Sequence, residues 1–180
     1  PLCSVVTLGL TADIPVNGLL DMYQGMGEIL DQYGGVIIGG DIVRSEVFFV
    51  TVAMHGRALG SNKVLTRNSA KPGDKIAVTG HIGCSSAGLH SLTETSEVND
   101  TDGIQHLRNT HFRPKPRISE GQLLLNHGVK AAMDISDGLV QDLSKLCQAS
   151  RVAATLDMDK IKGQNVLDAV PELTDEMRYL

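Results

Sequence analysis

The chain has 180 residues, 42% of them hydrophobic and 21% charged, which suits one medium domain or two small ones and is ordinary for a globular protein. Aromatics make up 3%, Trp is absent and the formal net charge is -5. These values weigh against base-stacking platforms and against a binder of the nucleic-acid backbone. No apolar run approaches the ~18 residues of a membrane span, and no secretory signal is visible. The three cysteines, Cys3, Cys84 and Cys147, form no C-x-x-C and suit a reducing compartment.

In chain order, "CSVVTLGL" (Cys3 to Leu10) is rich in β-branched and apolar residues and predicts a strand. The chain opens without Met, already inside this run, and is expected to be the middle of a longer protein. Pro15 then opens a helix. Leu19, Met22, Tyr23, Met26, Ile29, Leu30 and Tyr33 recur at spacings of three and four, and Gly34-Gly35 stops the pattern. "VII" (Val36 to Ile38) is expected as a short buried strand running into Gly39-Gly40-Asp41. "EVFFVTVAMHG" (Glu46 to Gly56), apolar on both faces, is expected as a central strand.

The polar stretch Gly60 to Asp74, with Asn68, Ser69, Pro72 and Gly73, marks a boundary. It separates residues 1–68 from residues 69–180. Past it, "KIAVTG" (Lys75 to Gly80) is expected as a strand and "HIGCSSAGLHSL" as a Gly-rich turn into a helix near Ser85 or Ser86. Thr93 to Gly103 is an acidic loop, and the prolines of "HFRPKPR" (His111 to Arg117) hold an extended segment. A helix over about Ser119–Asn126 ends at Gly128. A strand (about Val129–Asp134), a helix (about Leu139–Ala149) and a strand (Val152–Met158) complete the pattern. The alternation predicts an α+β, mixed α/β fold, without internal repeats or low-complexity segments.

Three stretches carry possible chemistry. In "IIGGDIVRS" (Ile37 to Ser45), Gly39 and Gly40 at a strand's end would let a ligand approach the backbone, and Asp41 would hold Mg2+. The same string also suits a bulge or turn stabilised by Asp41. In "TRNSAKPGD" (Thr66 to Asp74), Arg67 and Lys71 suit phosphate, or are solvated linker cations. In "AAMDISDGL" (Ala131 to Leu139), Asp134 ends a strand and Asp137 begins a helix. Either Ser136 or Asp137 simply caps that helix, or the two carboxylates hold Mg2+ against a phosphate at the helix N-terminus. The sequence identifies no companion base for Cys84, no His pair has zinc spacing, and no P-loop or protein-kinase motif occurs.

Taken together, "GGD" after an apolar strand, "LTRNSAKPGDKIAVTG", "GCSSAGL", "RPKPR" and "MDISDGLVQDL" resemble the thiamine-monophosphate kinase family. The wider superfamily includes aminoimidazole ribonucleotide synthetase and selenophosphate synthetase. The resemblance runs from Pro1 to about Met158. It implies ATP- and Mg2+-dependent phosphorylation of thiamine monophosphate to thiamine diphosphate in a cytoplasmic homodimer, with no nucleic-acid or membrane partner. By the same carry-over Gly40, Asp41, Arg67 and Ser136 would meet ATP, and Asp41, Asp134 and Asp137 the metal. The implied architecture is an N-terminal nucleotide-binding and dimerisation half followed by a C-terminal α+β half, both truncated. The family's "GDDAA"-type acidic loop is missing from these residues, and Cys84 stands where many relatives carry an acid in "GDSAAGL". These 180 residues alone are therefore expected to be weakly active or inactive. Two alternatives remain: a related ATP-dependent enzyme of the superfamily acting on another small molecule, and an inactive nucleotide-binding or dimerisation fragment.

Overall fold

The computed structural model describes residues 1–58, 60, 64–93, 102–157 and 161. Its contacts divide the chain into two compact units, Pro1–Lys63 and Val64–Leu180. The fold is mixed α/β, with the strands of the described residues all in the first unit.

The first unit contains β1 (Cys3–Leu10), α1 (Val16–Tyr33), β2 (Val36–Arg44) and β3 (Phe49–His55). The sheet order is β2-β1-β3, with β1 parallel to β2 and antiparallel to β3. Parallel neighbours need a crossover, which α1 supplies, while the short link from β2 allows β3 to return on the other edge of β1. Ser4, Val6 and Leu8 alternate along β1 and are buried. Burying Val6 and Leu8 contributes roughly 1.5–3 kcal/mol each. The helical face expected in α1 holds, with Leu30 buried and Leu19, Met22, Tyr23, Met26 and Tyr33 half-buried, although Ile29 is exposed.

Two expectations for this sheet change. The central strand is β1, and β3 is an edge. Apolar residues on both faces of a strand signal a need for cover, and do not fix its place in the sheet. The second change is that Gly39-Gly40-Asp41 lies inside β2, which continues to Arg44 and is not the buried strand expected, since Val36 and Ile38 are exposed. The register skips Ile38 between Ser4↔Ile37 and Val5↔Gly39, so a bulge precedes the glycines.

In the second unit, α2 (Cys84–Thr93), α3 (Asp102–Phe112), α4 (Ile118–Asn126) and α5 (Leu139–Ser150) are helical. Helices α2 and α3 pack through Cys84, Ala87, Ile104 and Leu107, all buried. A Cβ on Gly88 would lie 2.2 Å from the Leu107 carbonyl oxygen, so the two backbones meet at that glycine. Arg108 ties the pair, donating from Nε to Ser91 Oγ (3.2 Å) and from Nη2 to the Ser91 carbonyl (3.1 Å). Helix α4 ends as expected at Gly128, whose φ of 82° lets Val129 N–H return to the Leu124 carbonyl.

The helix α3 is an addition to the sequence reading. Ile104 and Leu107, three apart behind Asp102, are its short signal. The loop expected over Thr93–Gly103 lies mostly outside the described residues, and its ends belong to α2 and α3. The segments Lys75–Gly80, Val129–Asp134 and Val152–Asp157 are not strands. Among the described residues their one ladder contact is the parallel bridge Thr66↔Ala131, and an extended segment becomes a strand only with a partner. Met158 lies outside the described residues.

Candidate functional site

In the first unit, the backbone between the glycines and β1 is very close. A Cβ at Gly40 would sit 1.7 Å from the Val6 carbonyl oxygen. Gly40 thus serves the approach of two strands. Gly39, with φ 152°, has open space around its Cα. Asp41 is exposed, and its Oδ1 accepts the Ile42 N–H at 2.8 Å. Its Oδ2 takes no part in that bond.

The second and third stretches meet within the second unit. Thr66 N–H donates to the Lys130 carbonyl (2.9 Å) and Ala132 N–H donates to the Thr66 carbonyl (3.2 Å), which fastens the Arg67 segment beside the chain leading to Asp134. Ser150, at the last turn of α5, closes the other side. Its Oγ donates to the Arg67 carbonyl (2.6 Å) and accepts the Ala70 N–H (3.0 Å). Lys71 N–H is held by Asp74 Oδ2 at 2.8 Å, which shapes the Pro72-Gly73 turn. With its backbone fixed on two sides, the Arg67 side chain is exposed.

The acid loop follows. Asp134, Ser136 and Asp137 are exposed, and Gly138, at φ 108°, turns the chain into α5. The expected side-chain cap from Ser136 or Asp137 is not made. Gly138 occupies the cap position, and the loop's amides are gathered by Asp142 in the first turn. Its Oδ2 accepts Ser136 N–H (2.7 Å) and Asp137 N–H (2.9 Å). Those two N–H groups face the buried Asp142, while Asp134, Ser136 and Asp137 themselves are exposed. Asp142 is 1% exposed, and its Oδ1 accepts from Lys145 Nζ at 2.9 Å. The Lys145 ammonium and the two amides hold the Asp142 carboxyl at about 2, against an ordinary value of 3.8. Lys145 also donates to Asp137 Oδ2. The sequence reading missed both residues; their signal was an acid and a lysine at i+5 and i+8 from Asp137, on the first turns of a helix.

Among the described residues no group of three or more His, Cys, Asp or Glu side chains is arranged to hold a metal. Mg2+ does not require one, because one or two carboxylates with phosphate oxygens and waters complete its shell. The donor set fits a half-site of that kind. Two exposed carboxylates stand on one loop, and one of them already faces a cation, the Lys145 ammonium. The N-terminus of α5 beside them favours an anion. Cys84 is buried, which pushes its thiol up, away from the reactive thiolate.

A family profile described as "AIR synthase related protein, C-terminal domain" matches residues 71–179. The chain belongs to this family. Thiamine-monophosphate kinase of Escherichia coli is 35% identical over 175 residues, which cover 97% of this chain and 53% of that protein. The crystal structure of thiamine-monophosphate kinase from Stenotrophomonas maltophilia aligns with a TM-score of 0.84 at 27% identity, covering 99% of this chain and 56% of that one. A solved structure of AaThiL complexed with AMPPCP and TMP aligns at 0.71, again with 27% identity, over 94% of this chain and 57% of that one. The resemblance read from the motifs is thus borne out, and the named relatives of this AIR synthase related chain are kinases. The chain spans about half the length of these relatives. No helix among the described residues is long and apolar enough to cross a membrane.

Proposed function

We propose that the chain is part of a kinase that uses ATP and Mg2+ to phosphorylate thiamine monophosphate, giving thiamine diphosphate by direct in-line transfer. The observation that carries this reading is the union of a cation segment and an acid loop in one unit. Arg67 is held by Thr66 and Ser150 next to the strand-like lead into Asp134. Support also comes from a structural relative described as complexed with AMPPCP and TMP.

In this reading Asp134 and Asp137 of the second unit would hold Mg2+, and Asp41 of the first unit would be a metal ligand as well. Gly40, Asp41, Arg67 and Ser136 would meet the nucleotide. The metal, when bound, supplies charge neutralisation between two anionic substrates. Arg67 orients a phosphate through two parallel N–H donors. Ser136 offers a hydroxyl beside the α5 N-terminus, where the peptide dipoles favour a phosphate oxygen. None of these residues forms a bond to the transferred group, so their work is positioning.

We further read the N-terminal half as the nucleotide-binding and dimerisation half and the C-terminal half as the α+β half of a cytoplasmic homodimer, with the boundary at Lys63/Val64 in place of the expected 68/69, because Thr66 pairs with Ala131. The dimer is supported by the outer strands of the first unit, where Ile38, Ile42, Phe49, Val52 and Met54 are exposed apolar side chains on a three-stranded sheet. The test is a substrate panel with the full-length protein, comparing thiamine monophosphate, thiamine and other small phosphates. Turnover confined to thiamine monophosphate is expected; preference for another phosphate would move the assignment to a different branch of the family. Arg67→Ala is expected to raise KM for ATP about tenfold, as loss of a charged phosphate contact does. Asp134→Asn and Asp137→Asn should each remove most Mg2+-dependent turnover. Wild-type rates in both would reject the metal assignment.

A further inference from the structure

The acid loop is built on an ion network of its own, anchored by one buried carboxylate. Asp142 spends one oxygen on the two loop amides and the other on Lys145. Lys145 then reaches Asp137, so one ammonium joins the buried carboxylate under the loop to the exposed carboxylate on top of it. The side chains differ in freedom. Asp142 is 1% exposed, whereas Lys145 and Asp137 are 38% and 51% exposed. Lys145 has a flexible four-carbon stem and can swing into solvent while Asp142 keeps the loop amides.

The charges point the same way. Asp134, Asp137 and Asp142 with Lys145 carry a net charge of minus two, the charge a divalent cation neutralises. An ammonium on Asp137 and a dication on the same carboxylate repel each other at contact distance. We infer that Lys145 is an internal counter-cation that holds Asp137 in the metal-free protein and gives it up when a divalent ion enters, with Asp142 positioning the loop in both states. The inference rests on the reading of Asp134 and Asp137 as metal ligands and adds what competes for one of them. Asp142 is a positioning residue, since both its oxygens are committed inward. Lys145 sets the affinity of the site for the ion.

The two residues have opposite expected signatures. In the full-length protein without nucleotide, Mn2+ binding followed by its electron-spin-resonance signal is the direct probe. Lys145→Met removes the competing cation and should tighten Mn2+ roughly threefold to tenfold, a modest change because the pair is partly solvated. Lys145→Arg keeps the charge and should restore the wild-type affinity. Asp142→Asn should weaken Mn2+ and speed hydrogen exchange at the Ser136 and Asp137 amides. In the unmutated protein labelled at lysine nitrogen, saturation with Mg2+ should shift the Lys145 Nζ resonance, a readout that needs no variant to fold. Weaker or unchanged Mn2+ binding in Lys145→Met, or a Lys145 resonance indifferent to Mg2+, overturns the inference. Asp134→Asn and Asp137→Asn separate the two levels. If both leave Mn2+ binding intact, the metal reading itself fails and the counter-cation role falls with it. If both weaken it while Lys145→Met does not tighten it, the counter-cation role alone is wrong.

Discussion

Asp41 sits in a strand whose backbone is paired with β1 along its length, whereas Asp134 and Asp137 sit in a loop whose amides are held by one buried side chain. Both stretches pair exposed carboxylates with glycines. In the first, the glycine allows two backbones to touch, and the position of the acid follows from strand register. In the second, Gly138 turns the chain and Asp142 fixes the result. A carboxylate on a paired strand is placed by many backbone bonds and tolerates loss of any one side chain. A carboxylate on a loop depends on its support, so the acid loop concentrates its sensitivity in Asp142.

The largest effect that would test this comparison is expected at Gly40. Gly40→Ala places a Cβ 1.7 Å from a backbone oxygen that cannot rotate away. Separating the strands should cost at least about 3 kcal/mol, read by denaturant unfolding. Gly39→Ala, beside it in open space, carries only the strain of φ 152° and should cost about 1–2 kcal/mol. Equal costs at the two positions would show that the strand contact at Gly40 is not what fixes Asp41.

A second, smaller effect concerns pH. The Asp142 carboxyl is held at about 2 in the folded chain, below its ordinary 3.8. A depressed carboxyl stabilises the fold fully above its unfolded value and loses that contribution as pH falls through its folded value. Stability of the second unit should therefore decline between about pH 4 and pH 2 through this group. Asp142→Asn should be less stable near neutral pH and flatter across that window. A variant whose acid profile parallels wild type would leave Asp142 without the role of organising the loop.

The smallest expected effect compares thiols in the two units. Cys84 is buried with its thiol pushed up, while Cys3 at the start of β1 is partly exposed. Iodoacetamide at mild alkaline pH should modify Cys3 well before Cys84, with Cys84 reacting only on unfolding. Comparable rates in the folded protein would mean that the packing of α2 against α3 opens readily.

Much of the fold was legible because its signals are local. The periodicity of Leu19 to Tyr33, the glycine stops at Gly34 and Gly128, and the helix after Gly138 depend on residues within a turn or two of one another. The strings "GGD", "LTRNSAKPGDKIAVTG", "GCSSAGL", "RPKPR" and "MDISDGLVQDL" together pointed to the superfamily whose C-terminal-domain profile matches residues 71–179. The helix α3 escaped because two buried residues behind Asp102 make too short a pattern. The strands expected in the second unit were misread because an apolar extended run announces a strand only if another segment comes to pair with it.

The sequence by itself determined where the chain bends, which helix faces are apolar and which acids stand beside glycines. Tertiary structure alone decided that β1 is the central strand, that Gly40 is required by the Val6 carbonyl, and that the acid loop is capped from Asp142. It alone brought Ser150 to Arg67 across 83 positions and Lys145 onto Asp137. Local periodicity records the preferences of neighbouring residues. Strand order, close backbone approach and the reach of a side chain past its own turn depend on what the rest of the chain packs beside them.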